Sequence, residues 1–121
     1  MSVKIKIKNN GVIATFSGNI EENEIRDTFI DIIEKVNIKK ISFFLFDFSN
    51  ITSYTIPPNY MNLLKMITHF SVSYNEEIKA IIVATHPSIT SVVKEIMANR
   101  EELKWEYFIF DNINDALNCC K

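Results

Sequence analysis

Hydrophobic and polar residues alternate strictly at the start of the chain. Val3, Ile5 and Ile7 are separated by lysines, and this two-residue period is typical of a half-buried β-strand. Asn9-Asn10-Gly11 follows, and an Asn-Gly pair between two apolar runs is a strong hairpin signal, because both residues tolerate positive φ. The pattern therefore predicts a β-hairpin whose second strand covers about residues 12–16.

The rest of the chain alternates between helical and strand periodicity. Apolar residues recur every three or four positions in four segments that would each bury one helical face, namely residues 21–36, 60–70, 89–97 and 112–120. Apolar runs rich in aromatic and β-branched residues lie between them and predict strands, namely residues 41–48, 79–85 and 105–110. The first of these is almost continuously apolar, as expected for a strand covered on both faces. This alternation predicts a single α/β domain over residues 1–121, with a mixed sheet of about five strands and four helices. The N-terminal hairpin would supply the antiparallel component, and the later strands would be parallel.

Composition narrows the classes of function. Thirteen basic and fifteen acidic residues give a net charge of −2, without the concentrated positive face on which nucleic-acid binding depends. The two cysteines, Cys119 and Cys120, are adjacent, which suits neither a disulfide framework nor a zinc site and favours a reducing cytoplasm. We find neither a secretion signal nor an apolar run of the ~20 residues that span a bilayer. Peripheral membrane association stays open.

The lysines at positions 4, 6 and 8 form a local basic row. We interpret this row as the solvated face of an edge strand, because lysine on an edge discourages pairing with other chains. The open edge of the hairpin would still allow a homodimer.

Four short motifs follow one another along nearly the whole chain. They are Phe16-Ser17-Gly18-Asn19-Ile20, the strand end from Phe44 to Ile51 that contains Asp47, Ile81-Ile82-Val83 before Pro87, and Phe108-Ile109-Phe110-Asp111 followed by Asp115-Ala116-Leu117. Together they resemble the STAS domain, the fold of the bacterial anti-sigma-factor antagonists. The resemblance implies a STAS-like (SpoIIAA-like) α/β fold and a bacterial regulatory protein that acts by binding.

One motif of the antagonists is absent from this chain. In the family, a serine that a partner kinase phosphorylates opens the helix after the strand-ending aspartate. Counting from Asp47, its position here holds Ile56, followed by two prolines, so Thr55 and Ser53 are the alternative phosphoacceptors. Sequences that keep the fold but lose the motif resemble the SpoIIAA-like branch, which is also similar to a reduced form of a family of lipid-binding domains. This resemblance implies a protein partner or an apolar, lipid-like ligand.

We therefore expect a contact surface in the polar loop predicted over residues 49–59 and at the start of the next helix. Hydroxyl, aromatic and apolar side chains there suit a protein partner or a small apolar ligand. The predicted binding residues are Ser53, Tyr54, Thr55, Ile56, Pro57, Pro58, Tyr60 and His86. For Tyr60 a place in the core is the alternative, because it is in helical phase with Leu63 and Ile67.

Polar residues also follow the predicted parallel strands, where ligand sites gather in open α/β sheets. Asp47, His86 and Asp111 could form an acid/base cluster there. Structural roles are favoured, because carboxylates and amides in such turns bind backbone N–H groups and His86 precedes Pro87, as in a strand-to-helix turn. The sequence lacks a nucleophile elbow, a phosphate-binding glycine loop and a dinucleotide motif. It therefore predicts no enzyme, no cofactor and no metal site.

Overall fold

Strands and helices alternate along the chain as the periodicity predicts. The computed structural model describes residues 2–8, 10–21, 23–35, 40–55, 58–62, 65, 66, 69, 78–99 and 106–120. The elements whose two ends lie in this part are β1 Ser2–Lys8, β2 Gly11–Ile20, α1 Glu24–Lys35, β3 Phe43–Tyr54, β4 Lys79–Val83, α2 Pro87–Ala98, β5 Glu106–Phe110 and α3 Ile113–Cys119. Residues 60–62, 65, 66 and 69, between β3 and β4, are also helical. The predicted α/β fold with five strands and four helices is confirmed.

The five strands form one sheet in the order β1-β2-β3-β4-β5. β1 pairs with β2 in antiparallel fashion, from Ser2 opposite Ser17 to Lys8 opposite Gly11. The other three pairs are parallel. The predicted hairpin and the predicted parallel strands are therefore both present. Because β2, β3, β4 and β5 run in the same direction, their carboxyl ends all point to the same end of the sheet.

The sheet is covered on both faces, but unequally. On one face, buried side chains of β2, β3 and β4 pack with α1 and α2 in the larger core cluster. Its centre is aromatic. The rings of Phe16 and Phe48 are stacked with their centroids 4.8 Å apart, and Phe29 of α1 meets Phe44 edge-on with the ring centroids 5.4 Å apart. On the other face, a smaller cluster joins Phe43 and neighbouring strand residues to Ala116 of α3.

Gly11 opens β2 at a point where no side chain fits. A Cβ atom at this position would overlap the ring of Phe43, which is itself buried. The glycine of the predicted hairpin therefore also allows close packing between β2 and β3.

The main difference from the sequence prediction is the length of β2 and β3. β2 was expected to end near residue 16 and β3 near residue 48, but they continue to Ile20 and Tyr54. Residues 17–20 pair with residues 50–54, whereas β4 accompanies β3 only as far as Asp47. The predicted loop over residues 49–59 is thus wrong for its first half. Its polar side chains are exposed on a strand whose backbone pairs with β2 on one side.

Candidate functional site

Beyond Ser17, which still pairs with Ser2 of β1, the ends of β2 and β3 form a two-stranded extension of the sheet. We call residues 17–20 and 50–54 the ribbon. Gly18 has a φ of +75°, a left-handed conformation that glycine accepts, and the pairing shifts register before and after it, with the extra residues on β3. Ile51 is buried in the larger core cluster and anchors the ribbon to the rest of the domain. Beyond the ribbon, the Thr55 N–H still donates to the Ile20 carbonyl oxygen at 2.9 Å.

Three exposed polar side chains meet at the end of the ribbon. The Oδ1 atom of Asn19 accepts hydrogen bonds from the Thr52 Oγ1 hydroxyl at 2.8 Å and from the Ser53 Oγ hydroxyl at 2.6 Å. We call these residues the Asn19 cluster. Because Asn19 lies 33 positions before Thr52 and 34 before Ser53, the cluster depends on the β2–β3 pairing and cannot form within a local segment. It holds hydroxyl and amide groups in a fixed arrangement at the surface.

The two tyrosines of the predicted site contact the core. Tyr54 and Tyr60 both pack against the larger core cluster, and the Tyr60 hydroxyl donates a hydrogen bond to the Glu95 carboxylate of α2. Burial raises the pKa of Tyr54 to about 12. Burial, followed by the hydrogen bond and the negative charge of Glu95, raises the pKa of Tyr60 to about 12 as well. These side chains connect the segment after β3 to the core, and the alternative interpretation of Tyr60 as a core residue fits the structure.

The remaining residues of the predicted site do not all lie in the segment after β3. Thr55 and Pro58 are exposed, and the Thr55 hydroxyl extends the polar surface beyond the Asn19 cluster. Ile56 and Pro57 lie outside the described residues. His86 belongs to another element, as the N-cap of α2, where its side chain accepts a hydrogen bond from the Ser88 N–H.

The residues of the hypothetical acid/base cluster each have a local partner. Asp47 is only 6% exposed, and its Oδ1 atom accepts from the Ser49 N–H at 3.0 Å and the Ser49 Oγ at 2.6 Å. The Nδ1 atom of His86 lies 3.2 Å from the Ser88 N–H nitrogen and 2.7 Å from the Ser88 hydroxyl. Asp111 accepts from the side-chain amide of Asn112. These bonds support the structural roles that the sequence favours.

Solved structures with similar folds cover nearly the whole chain. The unphosphorylated form of the anti-sigma factor antagonist SpoIIAA has a TM-score of 0.63 at 9% identity, over 98% of this chain and 96% of that one. Phosphorylated SpoIIAA of Bacillus has a TM-score of 0.66 at 8% identity, over 99% and 100%. A DUF3478 family protein of Shewanella loihica PV-4, described as having a SpoIIAA-like fold, has a TM-score of 0.58 at 12% identity, over 99% and 93%. The chain has a SpoIIAA-like fold.

The similarity is one of structure. No family model matches the chain, and no curated protein sequence matches it at a significant level. The SpoIIAA-like fold nevertheless agrees with the STAS resemblance drawn from the four sequence motifs, which now lie on β2, β3, β4 and the β5–α3 unit.

Metal-binding clusters and membrane-spanning helices are both absent from the part of the chain that the structure describes. No three or more His, Cys, Asp or Glu side chains in this part of the chain are grouped so that they could hold a metal ion. None of the helices within the described ranges is both long enough and apolar enough to cross a membrane.

Sequence reasoning missed Asn19 as a site residue. It was recognised only as part of the Phe16–Ile20 motif, since the predicted second strand ended before it. The signal that could have identified it is Gly18, because a glycine followed by Asn and a buried Ile is also consistent with a strand that continues through a bulge.

Proposed function

We propose that residues 1–121 form one non-catalytic regulatory domain that binds a protein partner through the exposed end of the ribbon. The observation that carries this proposal is the Asn19 cluster, in which Thr52 and Ser53 are held by one amide oxygen on a projecting pair of strands. SpoIIAA, which has the same fold, is an anti-sigma factor antagonist. We therefore propose an anti-sigma factor as the partner class, and the cytoplasm, where the two free thiols would stay reduced, as the location.

A protein partner suits this surface better than a small apolar ligand. Binding sites for apolar ligands are concave and lined by hydrophobic side chains. The aromatic residues expected to line such a site, Tyr54 and Tyr60, pack against the core instead, and among the other described residues of the predicted segment Ser53 and Thr55 expose hydroxyl groups. Binding of a lipid-like ligand stays a prediction, and native mass spectrometry of protein purified from its host tests it.

Matched substitutions at two asparagines test the proposed surface. Asn19→Arg replaces the acceptor of the cluster with a bulky cation, and Asn118→Arg makes the same change at an exposed position of α3, which is not part of the ribbon. Binding of an anti-sigma factor encoded in the same genome is measured by isothermal titration calorimetry. We expect Asn19→Arg to weaken binding at least tenfold and Asn118→Arg to leave it within twofold. Equal effects of the two variants, or no binding by the unmodified chain, would contradict the proposal.

Phosphorylation of a non-standard residue is the second candidate function. Thr55 is exposed directly after β3, and Ser53 is exposed within it. A phosphate on Ser53 would remove its hydroxyl hydrogen from the bond to Asn19 and place about two negative charges at the end of the ribbon. Incubation with a serine kinase of the anti-sigma type followed by mass spectrometry tests this function. A modified Thr55 or Ser53 supports it, and an unmodified chain with an active kinase counts against it.

A further inference from the structure

In the part of the chain that the structure describes, the first strand is paired on one side only and leaves its outer side unpaired. β1 is the terminal strand of the order β1-β2-β3-β4-β5, and within the described residues β2 is its only pairing partner. All seven of its residues pair with β2 without a register shift. A regular edge strand directs alternate N–H and C=O groups away from the sheet, where they can pair with an added strand.

The side chains of β1 give the open edge two chemically distinct faces. Lys4 lies opposite Thr15, and Lys6 lies opposite Ile13, which packs against the core cluster of α3. Both lysines are exposed, so the edge carries a basic row on this face. On the opposite face, Ile5 packs partly against the larger core, and Ile7 is 54% exposed.

The lysines of β1 favour pairing with an acidic strand over pairing with a second copy of β1. A second copy of β1 added in antiparallel fashion would bring lysines next to lysines, because each face of a continuous sheet keeps its own side chains. Like charges opposite one another destabilise a strand pair, whereas opposite charges stabilise it. The net charge of the chain is −2, so the basic row is a local feature of this edge.

We propose that the open edge of β1 is a second docking site, which accepts an acidic extended segment of a partner protein as an added strand. The segment would alternate acidic and apolar side chains. Its carboxylates would lie beside Lys4 and Lys6, and its apolar side chains would cover Ile7 and the exposed part of Ile5. Backbone hydrogen bonds would give affinity, and the alternation would give register and specificity. This site is separate from the ribbon and stands whether or not the ribbon binds an anti-sigma factor.

A synthetic peptide tests the site directly. The probe is a capped seven-residue peptide that alternates glutamate and valine, titrated into the isotopically labelled full chain and followed by NMR. Two controls are an isomer with the same residues in two blocks and a peptide that alternates lysine and valine. We expect the alternating acidic peptide to shift the amide signals of residues 2–8, and both controls to bind at least tenfold more weakly. Its affinity should also fall as salt is raised, because exposed charge pairs are screened.

Charge reversal separates this site from general attraction between acidic peptide and protein. The variant Lys4→Glu/Lys6→Glu should bind the acidic peptide at least tenfold more weakly. The matched control, Lys35→Glu/Lys94→Glu, changes the net charge equally at two exposed helix positions and should stay within twofold of the original chain. If the first variant does not fold, Lys4→Gln/Lys6→Gln serves in its place.

Four results would overturn the proposal. They are unshifted signals in residues 2–8, equal binding of the block isomer, equal loss of affinity in the two charge variants, and self-association of the unmodified chain through the same signals. The last result would identify a second copy of the chain as the occupant of the edge.

Discussion

Ile51 distinguishes a packed ribbon from the solvated loop that the sequence predicts. It lies between exposed residues of β3 and is only 7% exposed. Ile51→Ala removes three carbon atoms from the core, which at about 0.8 kcal/mol for each buried CH₂ costs roughly 2.4 kcal/mol in transfer free energy. Incomplete collapse of the cavity adds to this cost, so we expect the free energy of unfolding to fall by about 3 kcal/mol. Urea denaturation followed by circular dichroism measures the change.

Thr52→Ala is the matched control, because it changes a neighbouring β-branched residue of the same strand to alanine. Thr52 is exposed and loses one surface hydrogen bond to Asn19, so we expect a cost of at most about 1 kcal/mol, which includes the lower β-propensity of alanine. Amide hydrogen exchange provides an independent measurement, since the Thr55 N–H donates to Ile20 and should be protected. Equal costs for the two variants, together with fast exchange at Thr55, would refute the packed ribbon.

Three further predictions concern packing, pH and helix capping. Gly11→Ala should lower the free energy of unfolding by about 1–3 kcal/mol through overlap with the Phe43 ring, and Phe43→Leu in the same chain should recover part of the loss in urea denaturation. The pKa of Tyr60 is raised from 10 to about 12, so folding favours its protonated form. Its contribution to stability should be complete below pH 10 and lost as pH rises from 10 to 12, and Tyr60→Phe should reduce that loss in denaturation curves recorded across this interval. His86→Ala should cost about 1 kcal/mol by removing the N-cap of α2, whereas His86→Asn should keep the cap; equal melting temperatures for both variants would contradict this role.

Local patterns were sufficient to predict most of the fold. The alternation of Val3, Ile5 and Ile7 identified β1, and the Asn-Gly pair identified the turn to β2. Helical spacing identified α1 and α2 to within three residues, because each buries a single stripe of apolar side chains. Asn112 was correctly placed at the start of the last helix, where its side chain accepts from the Asp115 N–H at 2.9 Å.

The ribbon could not be predicted because its stability is not local. Ser49, Asn50, Thr52 and Ser53 have the composition of a loop, and Ile51 is the only strongly apolar residue among them. Their extended conformation is stabilised by pairing with residues 17–20, which lie more than 30 positions earlier in the chain. The Asn19 cluster depends on the same pairing, so the central feature of the site became visible only with the fold.

Polar hydrogen bonds on this side of the sheet fall into two groups with different consequences for function. Asp47, His86 and Asn112 each accept from a backbone N–H two or three residues later, so a change in any of them disturbs the backbone that follows, which is the second half of β3 after Asp47 and a helix after His86 and Asn112. The bonds of the Asn19 cluster join exposed side chains on separate strands, where water or a partner can replace them at small cost. A binding surface needs groups of the second kind, because their exchange for intermolecular bonds leaves the fold intact. This difference is why the end of the ribbon, rather than the polar residues after β4 and β5, is the stronger candidate for partner binding.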